Sequence, residues 1–272
     1  MLRLPLSAGA VRKLLREIES SGSGEHVLAV GGADELAPVL RQQLLRGRAE
    51  AGAVRLGDPE GADVYVHVLA GELADADVAV LRRARRARAP AVAVAVGFAE
   101  EAALPYVLAT DIVSVRAGEP FPLERIARTI AARLGEDGAP LAARVPLLRQ
   151  AVCEQLIRSF ARKNGAVAAA VWIPGADLPV LAFNQLRLVL RLAQAHGADD
   201  ARGLAPELAA TLGACFGLRA LAREAVDLIP GAGWAVKGAV AYAGTRALGE
   251  AARRRFEPAV TPRPAAASRG AP

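Results

Sequence analysis

The chain has 272 residues, 53% of them hydrophobic but only 4% aromatic, and carries a formal charge of +6 with a pI near 10.0. That length can bury a sizeable core or two modest domains, and the core must be mostly Ala, Val and Leu. Lys13, Lys163 and Lys237 are the only lysines; an arginine-, Ala- and Gly-rich chain is what a GC-rich bacterial genome produces, so basicity is weak evidence for nucleic acid.

The first residues, MLRLPLSAGAVRKLLREIES, lack a signal-peptide core because Arg12, Lys13 and Arg16 interrupt them. Ser7 is placed to cap an amphipathic helix carrying Val11, Leu14, Leu15 and Ile18, which ends at a flexible linker, Ser20–Gly24. His26–Gly31 is a short apolar run ending in glycine, read as a buried strand. Asp34 is placed to cap a helix over Leu36–Arg46, with Leu36, Val39, Leu40 and Leu44 on one side. Strands follow at Ala53–Leu56, Ala62–Ala70, Ala91–Gly97 and Asp111–Val115, with helices at Asp75–Arg88 and Pro122–Leu134. Continuous apolar strands alternating with helices predict a parallel α/β sheet covered on both faces, up to about Gly138.

Beyond a Gly-Ala-Pro break at Gly138–Pro140 the strand rhythm stops and an all-helical part is expected. Its pieces are an amphipathic helix over Val145–Arg162, an apolar hairpin over Ala166–Phe183 broken at Pro174 and Gly175, and helices over Leu181–Ala195 and Leu204–Ala222. Asn184, Gln185 and Arg187 suggest a hydrogen-bond cluster between helices. The last helix lies within Val226–Ala252. Ala235, Ala239, Ala243, Ala247 and Ala251 recur in it every four positions, giving a nearly side-chain-free stripe along which another backbone could approach. The Pro/Ala/Arg-rich tail, residues 258–272, reads as disordered. The longest charge-free run, Asn164–Ala176, contains Pro174 and falls short of the ~20 apolar residues a spanning helix needs.

No catalytic constellation stands out. A phosphate loop needs GxxxxGK[ST], but Gly31–Pro38 reads GGADELAP: no Lys, no hydroxyl, and two carboxylates where phosphate would sit. GxGxxG is absent too. Asp58-Pro59-Glu60-Gly61 has the DxxG form of GTPases but is equally a plain turn. Arg82, Arg83, Arg85, Arg86 and Arg88 spread over more than half of a helix circumference, the pattern of a solvated outer face, with anionic lipid or nucleic acid as the second reading. Cys153 and Cys215 match no metal spacing and read as free thiols in a reducing cytoplasm, and His26, His67 and His196 read as isolated structural residues. Trp172 and Trp234 each flank a Pro-Gly turn, at Pro174 and at Pro230, an arrangement suited equally to a membrane interface and to a core of small residues.

IPGADLPVLAFNQLRLVLRLAQAHG (Ile173–Gly197) followed by LIPGAGWAVKGAVAYAGTRALGEAA (Leu228–Ala252) resembles the YcjF-like bacterial domain of unknown function. That domain is typified by inner-membrane proteins and is often fused behind Era-like GTPase domains. The first half is correspondingly similar to a GTPase domain: Ala62–Gly97 looks like the strand–helix–strand leading to the base-recognition motif, and Asp111–Ile130 like the segment that follows, with Ser114 near the base-contacting loop. The [NT]KxD motif is replaced by Gly97-Phe98-Ala99-Glu100, and the phosphate loop is missing.

The resemblance implies an α/β, parallel-sheet, P-loop-GTPase-like domain (25–138) stripped of its catalytic and guanine-reading groups. An N-terminal helix and linker (1–24) precede it, and an all-α YcjF-like domain (145–257) and the tail (258–272) follow. The expected function is that of a non-enzymatic pseudo-GTPase without cofactor, catalytic residue or metal, at the cytoplasmic face of the bacterial inner membrane, peripheral or partly inserted. Its contacts would be lipid and a protein partner, with a genuine GTPase as one candidate, through Trp172, Pro174, Pro230, Gly233, Trp234, Ala239, Ala243 and Ala247. The alternatives are a soluble cytoplasmic scaffold and a remodelled nucleotide enzyme using Asp34, Asp58 and Glu60 on a metal.

Overall fold

Five short strands form one sheet: β1 (Leu28–Gly32), β2 (Val54–Leu56), β3 (Val64–Ala70), β4 (Ala91–Val96) and β5 (Ile112–Val115). Their order is β2-β1-β3-β4-β5, and every pairing is parallel. The computed structural model describes residues 8–46, 49–97, 103–170, 178–198, 213 and 233–257.

The strands sort their side chains by the two-residue period. In the register Val66↔Val92, Val68↔Val94 and Val94↔Val113, the valines and Leu28 share one face. Ala29, Gly31, Tyr65, His67, Ala91, Ala93 and Ala95 share the other. Branched chains line one side evenly, whereas the other alternates small residues with the large Tyr65 and His67, so the faces are unequal. The valine face packs on α2 (Leu36–Leu44) and α4 (Leu123–Leu134), and α5 (Gly138–Arg144) and α6 (Pro146–Ala170) extend the same cluster beyond α4. The alanine face receives α3 (Asp75–Arg86) through Leu81 and Ala84. Residues 57–63 also run along β1 here, held by Gly57 N–H to Val30 O and Asp63 N–H to Val27 O, each at 2.9 Å.

Several local expectations change. α1 (Ala8–Gly22) runs through the serines expected to be a linker. Ser20, Ser21 and Ser23 each donate their hydroxyl to the carbonyl three residues back, so none of the three is left without a partner. Leu14 and Ile18 pack on Leu186, Leu190 and Ala193 of α7 (Leu178–Ala195). Arg191 donates to Ser21 Oγ at 2.9 Å and Gln194 to Ile18 O at 3.0 Å, fastening the same pair of helices. Ser7 lies outside the described residues. Asp34 does not cap α2, whose N-cap is Glu35 without a side-chain bond. Val39 faces solvent, because Leu36, Leu40 and Leu44 already occupy the buried side. Gly138–Pro140 is the first turn of α5 rather than a break, since proline needs no donor there.

The apolar hairpin is also revised. Ala166–Ala170 is the end of α6, and α7 begins at Leu178 with Pro179 in its first turn, so both described arms are helical. Residues 171–177 between them, and the helix expected over Leu204–Ala222, lie outside the described set apart from Gly213.

The last helix, α8 (Gly233–Phe256), packs chiefly on α6 and α7, but not by its alanine stripe. Ala235, Ala239, Ala243, Ala247 and Ala251 are all exposed. The contact is made by glycines: a Cβ on Gly238 would sit 3.1 Å from both Ala169 Cβ and Gly165 O, and one on Gly249 would sit 2.7 Å from Ile157 Cγ1. Only residues without a side chain permit that approach. Polar groups are paired inside the same interface. Asn164, fully buried, donates to Thr245 Oγ1 at 2.9 Å and accepts from Asn184 at 2.8 Å, while Gln185 donates to Thr245 at 3.3 Å. Asn184 and Gln185 therefore join the expected interhelical cluster, whereas Arg187 turns away to Glu17 of α1 at 2.6 Å.

A single hydrophobic cluster runs from Leu28, Val66 and Val94 through Ile126 and Ile130 to Leu148, Phe160, Leu188 and Leu192. The sheet and helices α4–α7 thus share one apolar interior, and α8 joins its edge through Ala252 and Phe256.

Candidate functional site

In a parallel sheet with this strand order, ligands bind where the crossover direction reverses, here at the carboxyl ends of β1 and β3. A phosphate would be received by free backbone N–H groups of the β1–α2 turn. In this turn several of those N–H groups are already engaged. Ala33 N–H is bonded to Val68 O of β3 at 2.8 Å, and Leu36 and Ala37 N–H both return to Ala33 O, at 3.1 and 2.9 Å. Gly32 sits at φ +103 with Val68 O only 2.0 Å from where a Cβ would stand. The second glycine is needed to fold the turn onto β3 rather than to open a cradle.

Beside the turn is a crevice of 380 Å³ on the alanine face, lined among others by Gly31, Gly32, Asp34, Asp58, Tyr65 and Arg83. Asp58 belongs to the DxxG-form segment, which is a turn: Asp58 Oδ1 accepts Glu60 N–H at 3.0 Å, and Arg55 Nη2 donates to the Asp58 and Glu60 carbonyls. Its other oxygen lies 3.3 Å from Arg83 Nε. Both carboxylate oxygens are thus engaged. Among the described residues no group of His, Cys, Asp and Glu is arranged to hold a metal ion, so Asp34, Asp58 and Glu60 are not brought together as one.

At the floor of the crevice is a network that single-residue reading missed. His67 Nε2 lies 2.9 Å from Asp77 Oδ1. A carboxylate only accepts, so Nε2 carries the proton and Nδ1 is left to accept the Tyr65 hydroxyl at 3.0 Å. Asp77 Oδ2 in turn accepts Ala74 N–H at 3.0 Å and so caps α3. Tyr65 and His67 are each 1% exposed. Burial drives the His67 pKa down against the opposing pull of Asp77, and raises that of Tyr65, so the network stays neutral at Tyr and His. It ties β3 to α3 beside the crevice, which Tyr65 helps to line. The signal was in the sequence: residues 65 and 67, two apart on a strand, must share a face.

The remaining expected sites are scattered. Trp172, Pro174 and Pro230 lie outside the described residues, as do Cys215 and the 98–102 segment containing most of the degenerate base-recognition motif. Gly233 begins α8. Trp234 is 61% exposed, on the helix that also exposes Ala239, Ala243 and Ala247. His26 bonds Ser21 O at 2.6 Å, and His196 bonds Leu192 O at 2.8 Å. Cys153 is buried, its thiol pushed up to about 12. Arg82, Arg83, Arg85, Arg86 and Arg88 are exposed on or just beyond α3, while Leu81 and Ala84 face the sheet. Comparison with protein-family models, with curated proteins and with solved structures finds no match to this chain.

Proposed function

We propose that the chain is a non-catalytic, GTPase-like module that works by contact, associating with the cytoplasmic face of a bacterial inner membrane and engaging a protein partner there. The observation that carries this reading is the packing of the β1–α2 turn onto β3. Its glycine is backed onto the Val68 carbonyl, and Asp34 stands beside it where a nucleotide would bring negative charge. Support for GTPase likeness comes from the placement of the segments that resemble that family. The DxxG-form turn leaves β2, Ala62–Gly97 forms β3, α3 and β4, and Ser114 lies on β5, all in one parallel sheet. A peripheral attachment is favoured by the exposed arginines and Trp234, and by the lack of any helix among the described residues that is long and apolar enough to cross a membrane.

The test is a titration of the full chain with GTP and with ATP in the presence of Mg²⁺, followed by calorimetry. The expected result is no saturable heat up to millimolar nucleotide. Saturable binding that Asp34→Asn strengthens would overturn the reading, because it would mean that the turn opens to receive phosphate.

A further inference from the structure

We propose that Arg82, Arg85 and Tyr106, with Leu108, form the surface through which this chain rests on an anionic lipid bilayer; the inference depends on the membrane part of the reading above. Tyr106 stands in the loop before β5 with φ +67, a backbone setting that side chains other than glycine seldom adopt. It is 41% exposed, and Leu108 is 59% exposed. The Arg82 and Arg85 guanidinium carbons lie 6.0 and 5.6 Å from the Tyr106 ring centroid, so two cations from successive turns of α3 gather at one exposed aromatic. Arg86 and Arg88 add charge nearby. No described carboxylate pairs with any of these four, whereas Arg83, which turns toward the crevice, is paired with Asp58.

Charge left unpaired beside exposed apolar side chains fits a bilayer interface. Arginine engages lipid phosphate, tyrosine sits at headgroup depth, and leucine enters the acyl boundary. Nucleic acid fits less well. The ring is attended by two guanidinium groups rather than left free as a stacking platform, and Leu108 would gain nothing against a phosphate backbone.

The experiment is co-sedimentation of the full chain with phosphatidylglycerol/phosphatidylcholine vesicles and with pure phosphatidylcholine vesicles. The variants are R82E/R85E, L108S, and R158E/R162E, a control that makes the same charge change on the exposed side of α6. Wild type and R158E/R162E are expected to bind anionic vesicles alike. R82E/R85E should lose about tenfold or more in affinity, and L108S should weaken binding with no change in net charge. Wild-type binding unaffected by R82E/R85E, or weakened equally by R158E/R162E, overturns this surface while leaving membrane association standing. No wild-type binding to either vesicle overturns both. Binding to single-stranded oligonucleotide in place of vesicles, lost in R82E/R85E, overturns the choice of lipid.

Discussion

Gly32→Ala should be among the most damaging single-methyl changes in this protein. Gly32 sits at φ +103, and the added Cβ would lie 2.0 Å from Val68 O, with Val68 N and C also inside 3.0 Å. Nothing there is the movable end of a side chain, so relief requires β1 and β3 to part at their carboxyl ends. Backbone strain together with the clash should cost roughly 3–4 kcal/mol. Gly57→Ala separates the two contributions: its φ is +114 but nothing lies within 4 Å of the new atom, so it should cost only about 1–2 kcal/mol. Urea unfolding of both variants checks this. Equal losses would mean that the turn is not packed against β3.

Phe160→Ala should be comparably severe, at about 3–5 kcal/mol, since the ring is 1% exposed within the shared interior. Its diagnostic value lies in where the loss is felt. Because α6 and the valine face of the sheet belong to one cluster, amide exchange should accelerate in β3 and β4 as well as in α6. Acceleration confined to the helices would mean that the two parts are stabilised separately.

The sheet was legible because strand residues announce themselves twice, by β-branched composition and by alternation. AVAVAV states its two faces outright, and the bounds of β3, β4 and β5 move by only one or two residues, at one end each, from those expected. The helical half was harder to read for a geometric reason. Alanines spaced by four drift about 40° per step around a helix of 3.6 residues per turn. Gly238, Thr245, Gly249 and Ala252, at intervals of seven, four and three, hold one face and make the contact. Small residues mark a close approach, but the spacing decides which ones make it. The serine run 20–23 reads as a linker by composition, whereas Ser21 and Ile18 at the end of α1 are held against α7 by contacts that only the fold supplies.

The candidate site divides in the same way. Missing Lys and hydroxyl groups at residues 31–38 argue against a phosphate loop from the sequence alone. That Val68 fills the space could be known only from the register of β1 on β3. Likewise Tyr65 and His67 share a face by strand periodicity, whereas Asp77 reaches them only because α3 packs there. The pairing of Arg82 and Arg85 with Tyr106, distant in the chain, depends wholly on the fold.

The most direct test of a contact-making protein at the membrane is fractionation of the native chain from cells, with the membranes washed first in high salt and then in carbonate. The protein is expected to sediment with membranes and to be released by salt, as an arginine-based peripheral contact requires. Full recovery in the soluble fraction before any wash would contradict it, and retention through carbonate would replace the peripheral contact with an inserted one.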